Sequence, residues 1–437
     1  MHGSKTLMLR NAGQKATQGR KTMRKSIMLS SLLVVSLAFA GSAFAADKIP
    51  VGHLACYTGP TSDVGGPYGN GVADAMNYIN KHGGVNGKLL EYDTVDYSYK
   101  APQAVAIYKG WMSNLKPVAI QGWGTADTEA LVQFIAKDKV PYFSASYSGH
   151  LTDPTGKSPK TKSPAPYNFF YGPSYSDTCR GLVQWAADDW KAKGKEGQPK
   201  FIHMGANHPY PNAPKAACAA YAEELGFKVL NPIVYDLKPA DAKAQCLTLK
   251  DSGANYAYLG NTAGSNISLL NSCRTVGANP QFLANVWGWD ENSIKAAKEA
   301  GDGVAVFVGA PTWKDTEAPG MKTVREISKM SDPSGETYRN LHYMRGVCSA
   351  YFMKDAMEIA DKKGPITGEA IKNAMETMVD HVPAGLEGVC TPSTWTSEDH
   401  RGTTSVGVYT SLYNGGDFQL NQQATIEVPR REEWLGW

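Results

Sequence analysis

The side chains in this sequence that could do chemistry are hydroxyl groups that follow short apolar runs. Thr125 comes after Gly124 at the start of a helical pattern, and Ser146 and Ser148 follow the apolar run 140–143. A hydroxyl at a helix start, beside the N–H groups of the first turn, favours a bound carboxylate. The spacing therefore indicates a seat for a small anion, although a plain helix cap at Thr125 and solvated turns at the serines fit the same pattern.

The sequence lacks the motifs that mark common catalytic and metal sites. It contains no G-x-S-x-G, no H-E-x-x-H and no Walker loop, and Asp127 stands where a dinucleotide fingerprint starting at Gly122 would need its third glycine. Neither the nine histidines nor the seven cysteines have the spacing of zinc ligands. We therefore expect a binding protein without catalytic residues, cofactor or metal. An exported enzyme is the remote alternative, and a sensory receptor domain on the same scaffold is a third class.

The elements that must position these hydroxyls alternate between short apolar runs and helical patterns. Two such series occur, at 49–143 and 177–308, and the Pro-, Lys-, Ser- and Thr-rich stretch 150–167 between them reads as a surface loop or linker. Alternation of this kind predicts parallel, doubly wound sheets. The pattern then changes to a long helix at 338–361, a second helix at 368–378 and a β-like end.

The first 45 residues have the composition of an export signal. Four basic residues at 20–25 precede an apolar run at 27–40, and the small-x-small sequence Ala43-Phe44-Ala45 follows. We expect cleavage near Ala45 and a soluble periplasmic product, with either Met1 or Met23 as the start. Residues 1–45 hold seven bases and no acid, which leaves 37 bases against 41 acids and a net charge of about −4. Nothing in that balance favours nucleic-acid binding.

The seven cysteines predict disulfides because an exported chain folds in an oxidising compartment. Helices that flank neighbouring strands on one sheet face would bring Cys246 beside Cys273. The remaining assignments, made without such a geometric argument, are Cys179 with Cys218, Cys348 with Cys390, and Cys56 as the free thiol. A buried free thiol is the alternative for each cysteine.

Short motifs in a fixed order give the chain a resemblance to a known family. They are Thr58-Gly59-Pro60 with Tyr68-Gly69, the glycine turn Lys81–Lys88, Gly122–Thr125, Val140–Ser148, Tyr175–Gly181, Asn207–Tyr210 and Thr396–Gly402. Together they resemble the branched-chain amino-acid receptor family of type I periplasmic solute-binding proteins of ABC importers. The resemblance implies an α/β fold of two doubly wound, Rossmann-like lobes that are joined by a three-crossover hinge and close on a small ligand. It also implies ABC permease subunits as partners, and we expect a monomer.

On this resemblance the chain divides into two lobes after the signal at 1–45. We place the first lobe at 46–170, with about 312–385 returning to it. We place the second lobe at 171–311, with part of 386–437 crossing back.

The resemblance also implies which residues touch the ligand. Thr125 matches the position that binds the ligand's carboxylate, and Ser146 and Ser148 match hydroxyl contacts. Tyr68 matches a family aromatic that lies over the ligand from the first lobe. Tyr210 matches one that closes over it from the second lobe.

The acidic partners of an amino-acid ligand are where the sequence departs from the family. Asp177 matches an acid that helps to hold the ligand's ammonium group, but it also stands at a helix start, where capping is an equal alternative. The loop that carries a second-lobe acid in amino-acid receptors has Trp287 and Trp289 here, with Asp290 as the nearest carboxylate. Burying an ammonium group without a counter-charge costs several kcal/mol, whereas indole rings favour a flat apolar body.

We therefore expect the ligand to be a small carboxylate, either aromatic (benzoate-type) or otherwise apolar. A branched-chain or other amino acid or amide is the alternative. Ordinary core packing is the alternative for several of the predicted wall residues, which are Tyr57, Tyr68, Trp123, Tyr147, Tyr210, Trp287 and Trp289.

Overall fold

The structure, a computed structural model, describes residues 47–437. The export signal and the cleavage point predicted near Ala45 lie outside these residues. Within the described part of the chain, no helix is both long enough and apolar enough to span a membrane.

Residues 47–437 contain twelve strands and twelve α-helices. The strands are β1 (Lys48–Ala55), β2 (Leu89–Asp96), β3 (Ala119–Gln121), β4 (Tyr142–Phe143), β5 (Asn168–Phe169), β6 (Lys200–Met204), β7 (Lys228–Val229), β8 (Tyr256–Leu259), β9 (Gln281–Ala284), β10 (Ala305–Phe307), β11 (Ser405–Asn414) and β12 (Asp417–Glu427). The helices are α1 (Ser62–Lys81), α2 (Ala101–Asn114), α3 (Thr125–Asp138), α4 (Tyr175–Ala192), α5 (Pro209–Asn212), α6 (Lys215–Glu224), α7 (Lys243–Ser252), α8 (Ala263–Val276), α9 (Glu291–Ala297), α10 (Met321–Ser328), α11 (Leu341–Asp361) and α12 (Gly368–Met375).

The strands form two sheets, as the alternating pattern predicts. The first sheet has the order β2-β1-β3-β4-β5, and all of its neighbours pair in parallel. The second has the order β12-β11-β10-β9-β8-β6-β7 and is parallel from β10 to β7. The hairpin β11–β12 extends it in antiparallel pairing. The doubly wound α/β class is therefore confirmed, and both sheets present the carboxyl ends of their parallel strands to loops.

The glycines of the first helix allow a close helix–helix contact. Helix α1 begins at Ser62 and includes them. A Cβ atom on Gly71 would lie 2.1 Å from the carbonyl oxygen of Tyr343, and one on Gly346 would lie 2.1 Å from that of Tyr68. The glycines therefore let the backbones of α1 and α11 pack directly against each other.

The C-terminal third of the chain returns to both sheets. Helix α11 packs against α1 and also contacts β3 and β4, whereas β11 pairs with β10 of the second sheet. The division into lobes, with its returning segments at 312–385 and 386–437, stays a prediction.

The stretch 150–167 is an ordered loop rather than an exposed linker. The buried carboxylate of Asp153 accepts hydrogen bonds from the backbone N–H groups of Thr155, Gly156 and Ser158 and from the hydroxyl of Thr161. This polar segment is therefore held in place by hydrogen bonds to the Asp153 carboxylate rather than by an apolar core.

The three predicted disulfides are present. Cys246–Cys273 joins α7 to α8, as the helix argument predicts, and the other two are Cys179–Cys218 and Cys348–Cys390. Cys56 is free and buried, and its burial raises the pKa of the thiol to about 12.

Candidate ligand-binding cleft

A small cavity of about 10 Å³, which has room for about one water molecule, lies between the two sheets. Every residue that lines it stands two to six positions beyond the carboxyl end of a parallel strand. This is where ligands bind in doubly wound sheets, because the loops of several strands converge there. Loops of the first sheet contribute Thr61, Tyr99, Trp123, Gly124, Thr125 and Ala145, and loops that follow β5 or strands of the second sheet contribute Tyr175, Tyr210, Thr262 and Trp287.

The start of α3 provides the predicted polar seat. Gly124 is the N-cap, and Thr125 is therefore the first helical residue rather than the cap. The N–H groups of this first turn have no carbonyl partner inside the helix, so they favour an anion. The hydroxyl of Ser146 donates to the hydroxyl oxygen of Thr125 at 2.9 Å, which orients the Thr125 proton towards another acceptor.

A buried carboxyl group lies directly beneath this seat. One oxygen of Asp127 accepts from the Gly124 N–H at 3.2 Å, and the other accepts from the Tyr97 hydroxyl at 2.7 Å. Burial raises the pKa of Asp127 to about 7, against the opposing effect of these hydrogen bonds. Near neutral pH this group is therefore divided between its protonated and ionised forms.

None of the ten lining residues carries a charged side chain. Asp177, matched to an ammonium-binding acid, instead forms a buried ion pair with Arg180 at 2.8 Å and exchanges hydrogen bonds with Ser174, the N-cap of α4. Asp290 caps α9 by accepting from the Ser293 N–H at 2.7 Å. Of the two interpretations of Asp177, capping fits the structure and contact with an ammonium group does not.

Trp287 forms the centre of the predicted aromatic wall. Its side chain is buried, and its ring centroid lies 4.9 Å from that of Trp123, 5.4 Å from Tyr147 and 5.8 Å from Tyr68. Its indole N–H donates to the Tyr175 hydroxyl at 3.0 Å. Aromatic rings on the first-sheet side of the cleft therefore contact the indole ring of Trp287, which follows β9 of the second sheet.

The other second-sheet aromatic at the cavity is Tyr210. Its hydroxyl donates to Asn285 at 2.7 Å, and its ring lies 5.4 Å from that of Tyr175. Ser148, which the resemblance matches to a hydroxyl contact, is buried, and its hydroxyl has no hydrogen-bond partner within residues 47–437.

Two predicted wall residues lie elsewhere. Trp289 points into the core of the second sheet, where its indole N–H donates to Ser411 at 3.0 Å and its ring packs on Gly301. It stands two residues beyond Trp287, and the chain turns between them. Tyr57 is about one-third exposed and packs on Gly69 of α1 rather than lining the cavity. Both predictions are therefore corrected.

Several lining residues are not among those predicted from the sequence. Tyr99 and Thr262 each stand three positions beyond a parallel strand, β2 and β8, just as Thr125 stands four beyond β3. Applying the strand-end rule to every strand would have identified both. Tyr175 was included in a family motif but was not assigned a role in binding.

Comparison with known proteins gives consistent matches along the chain. A family model described as "Periplasmic binding protein" matches residues 48–416. A leucine-, isoleucine-, valine-, threonine- and alanine-binding protein of Pseudomonas aeruginosa is 22% identical over 318 residues, which cover 72% of this chain and 81% of the relative.

Solved structures match over most of their length. An ABC transporter substrate-binding protein from Aeropyrum pernix has 28% identity and a TM-score of 0.77, with 89% of this chain and 98% of that chain covered. A fatty acid ABC transporter substrate-binding protein from Thermomonospora curvata has 20% identity and a TM-score of 0.76, with 89% and 96% covered.

Proposed function

Because the chain belongs to the periplasmic binding protein family, we propose that it is the periplasmic substrate-binding component of an ABC importer and that it captures an aromatic or other apolar carboxylate. Its fold is the type I periplasmic binding fold, and proteins of this kind deliver a small ligand to membrane permease subunits. Binding without turnover is the activity that this arrangement supports.

The observation that carries the ligand assignment is that no charged side chain lines the cavity. An amino acid would bring an ammonium group among the ten lining residues, none of which is acidic. The family-matched acid Asp177 is paired with Arg180, and Asp290, the carboxylate nearest to the two tryptophans in sequence, caps α9. An unpaired buried ammonium is unfavourable by several kcal/mol, which disfavours the amino acids bound by the Pseudomonas relative.

The cavity also limits the shape of the ligand. Pockets for small molecules usually hold roughly 300–1,000 Å³, whereas the cavity here holds about 10 Å³. A ligand can therefore enter only where lining side chains, such as the Trp287 ring, give way to it. A flat aromatic body is compatible with that space, because offset or edge-on ring pairs are favourable by about 0.5–1.5 kcal/mol each.

The test is a calorimetric comparison of benzoate with leucine, using the purified protein after removal of bound ligand by unfolding and refolding. We expect benzoate to bind and leucine not to bind. Binding of leucine without any response to benzoate would overturn the ligand assignment and favour the amino-acid alternative.

The seat at the start of α3 is tested by Thr125→Val, which removes the hydroxyl and keeps the side-chain volume. A hydrogen bond to a charged group contributes roughly 1.5–3 kcal/mol, so we expect benzoate affinity to fall about 10-fold or more. Thr275→Val is the matched control, because the exposed Thr275 hydroxyl on α8 donates only to the Asn271 carbonyl. An equal effect of both substitutions would exclude the seat.

A further inference from the structure

Arg345 of α11 is buried within the aromatic cluster and touches no carboxylate. Its side chain is about 1% exposed, and its guanidinium carbon lies 5.3 Å from the Trp287 ring and 5.7 Å from the Phe307 ring. Nη1 donates to the Val286 carbonyl at 2.5 Å and to Nδ1 of His342 at 3.1 Å. Nη2 has no hydrogen-bond partner within residues 47–437.

His342 separates this guanidinium from the carboxylate of Asp290. Because Nδ1 of His342 accepts from Arg345, its Nε2 carries the proton and faces Asp290 at 3.2 Å. The same Asp290 oxygen accepts from the Asn340 amide at 3.0 Å. Glu291 accepts from the Leu341 N–H and the Tyr338 hydroxyl, and burial raises its pKa to about 7. No acid therefore faces Nη2.

Phenol groups lie in the same aromatic cluster as the guanidinium. The Tyr147 ring lies 5.4 Å from the Trp287 ring, which the guanidinium covers at 5.3 Å, and 6.2 Å from the Tyr171 ring. The hydroxyls of Tyr147, Tyr171 and Tyr68 also have no hydrogen-bond partner in the described part of the chain. Buried polar groups are nearly always hydrogen-bonded in native proteins, and all four of these groups can donate. Their common missing partner is an acceptor, for which a carboxylate is well suited.

Trp287 stands between these donors and the cavity. Its indole N–H bonds to Tyr175, which lines the cavity beside Thr125, while its ring lies next to Arg345 and Tyr147. The two polar positions are thus separated by about the width of one aromatic side chain. A guest of that width with an acidic group at each end would satisfy both.

We propose that Arg345, together with Tyr147 and Tyr171, forms a second anion-binding position in the cleft, and that the ligand is an aromatic dicarboxylate whose ring takes the place of the Trp287 indole. One carboxylate occupies the seat at the start of α3, and the other accepts from Nη2 of Arg345. This inference rests on the proposed function, since it extends the same ligand class.

The experiment compares benzene-1,4-dicarboxylate, its monomethyl ester and benzoate by calorimetry on the full chain. A charge-assisted hydrogen bond predicts that the diacid binds roughly 10- to 100-fold more tightly than either monoacid. Arg345→Met removes this advantage, measured as the ratio of diacid affinity to benzoate affinity in the same variant.

Arg325→Met is the matched control. Arg325 also lies over an indole ring, Trp313 at 5.6 Å, and also donates to backbone carbonyls, but it stands far from the cleft on α10. We expect it to keep the preference for the diacid.

The outcomes distinguish a failure of the second anion-binding position from a failure of the proposed function. Equal binding of the diacid and its ester by the unchanged protein overturns the second position and leaves the proposed function standing. Retention of the diacid preference in Arg345→Met also overturns it. Binding of leucine alone overturns the proposed function itself. The ester comparison needs no substitution, so it remains decisive even if Arg345→Met fails to fold.

Discussion

Two buried arginines in this protein have opposite surroundings. Arg180 of α4 is ion-paired with Asp177 at 2.8 Å and covered by the Trp434 ring at 4.1 Å. Arg345 of α11 is equally buried, yet its nearest carboxylate lies beyond His342 and one of its amino groups has no partner in residues 47–437.

The same contrast separates the two tryptophans of the 287–290 loop. Trp289 bonds to Ser411 within the core of the second sheet, whereas Trp287 contacts rings of both sheets in the cleft. Burial and unpaired polar atoms do not separate the two arginines, since Nε of Arg180 and Nη2 of Arg345 both lack a hydrogen-bond partner in residues 47–437. The direct counter-charge separates them, because only Arg180 has one.

The largest effect should come from breaking the complete pair. Asp177→Asn removes the charge that compensates Arg180, and removing one partner of a buried ion pair destabilises by about 3–5 kcal/mol. Urea unfolding should show this loss. Asp188→Asn is the control, since Asp188 is exposed on the same helix and accepts only from Gln184. It should change stability by less than about 0.5 kcal/mol, and equal losses in the two variants would show that the Arg180 pair is not special.

A smaller loss of stability should distinguish Trp289 in the core from Trp287 in the cleft. Trp289→Phe loses a buried hydrogen bond and some core volume, for which we expect about 1–3 kcal/mol of lost stability and unchanged ligand affinity. Binding of an aromatic acid should change the tryptophan emission of the unchanged protein and of Trp289→Phe, but far less that of Trp287→Phe. A reversed pattern would place the cleft residue at 289 and contradict the comparison.

Sequence patterning predicted the two sheets because buried parallel strands and amphipathic helices alternate with a clear period. It predicted the hydroxyl seat because strand ends locate loops. It could not separate Trp287 from Trp289, since the direction of a side chain depends on the turn at Gly288 and not on residue type.

Two features of the sequence point to these two arginines. Arg180 follows Asp177 by three residues, the spacing of an ion pair on one helix face. Arg345 is the only Lys, Arg, Asp or Glu in the mostly apolar stretch 341–353 of α11. The partner of Arg180 is local, whereas Trp287 and the Val286 carbonyl beside Arg345 come from a distant part of the chain, so the contrast between the two arginines required the fold.

Asp127, which lies beneath the start of α3, makes both stability and ligand affinity depend on pH. Its carboxyl pKa is raised from 3.8 to about 7 in the folded protein, so the folded state holds a proton between about pH 4 and 7 that the unfolded state has released. The stability contributed by this protonated group is therefore present below about pH 4 and is lost as the pH rises to 7. An anion bound at the Thr125 seat favours the protonated form further, because two adjacent negative charges repel.

Benzoate affinity should consequently decrease as the pH rises from 6 to 8, by about 10-fold for one coupled proton. Calorimetry in buffers of different ionisation enthalpy should detect proton uptake on binding. Asp127→Asn should abolish both effects, because an amide stays neutral while still accepting from the Gly124 N–H. Glu291→Gln provides the control, since the Glu291 carboxyl also has a pKa of about 7 but lies at the start of α9, outside the cavity lining. A pH dependence that persists in Asp127→Asn and disappears in Glu291→Gln would move the coupled proton to the Arg345 side of Trp287, and the acidic head would then bind there rather than at α3.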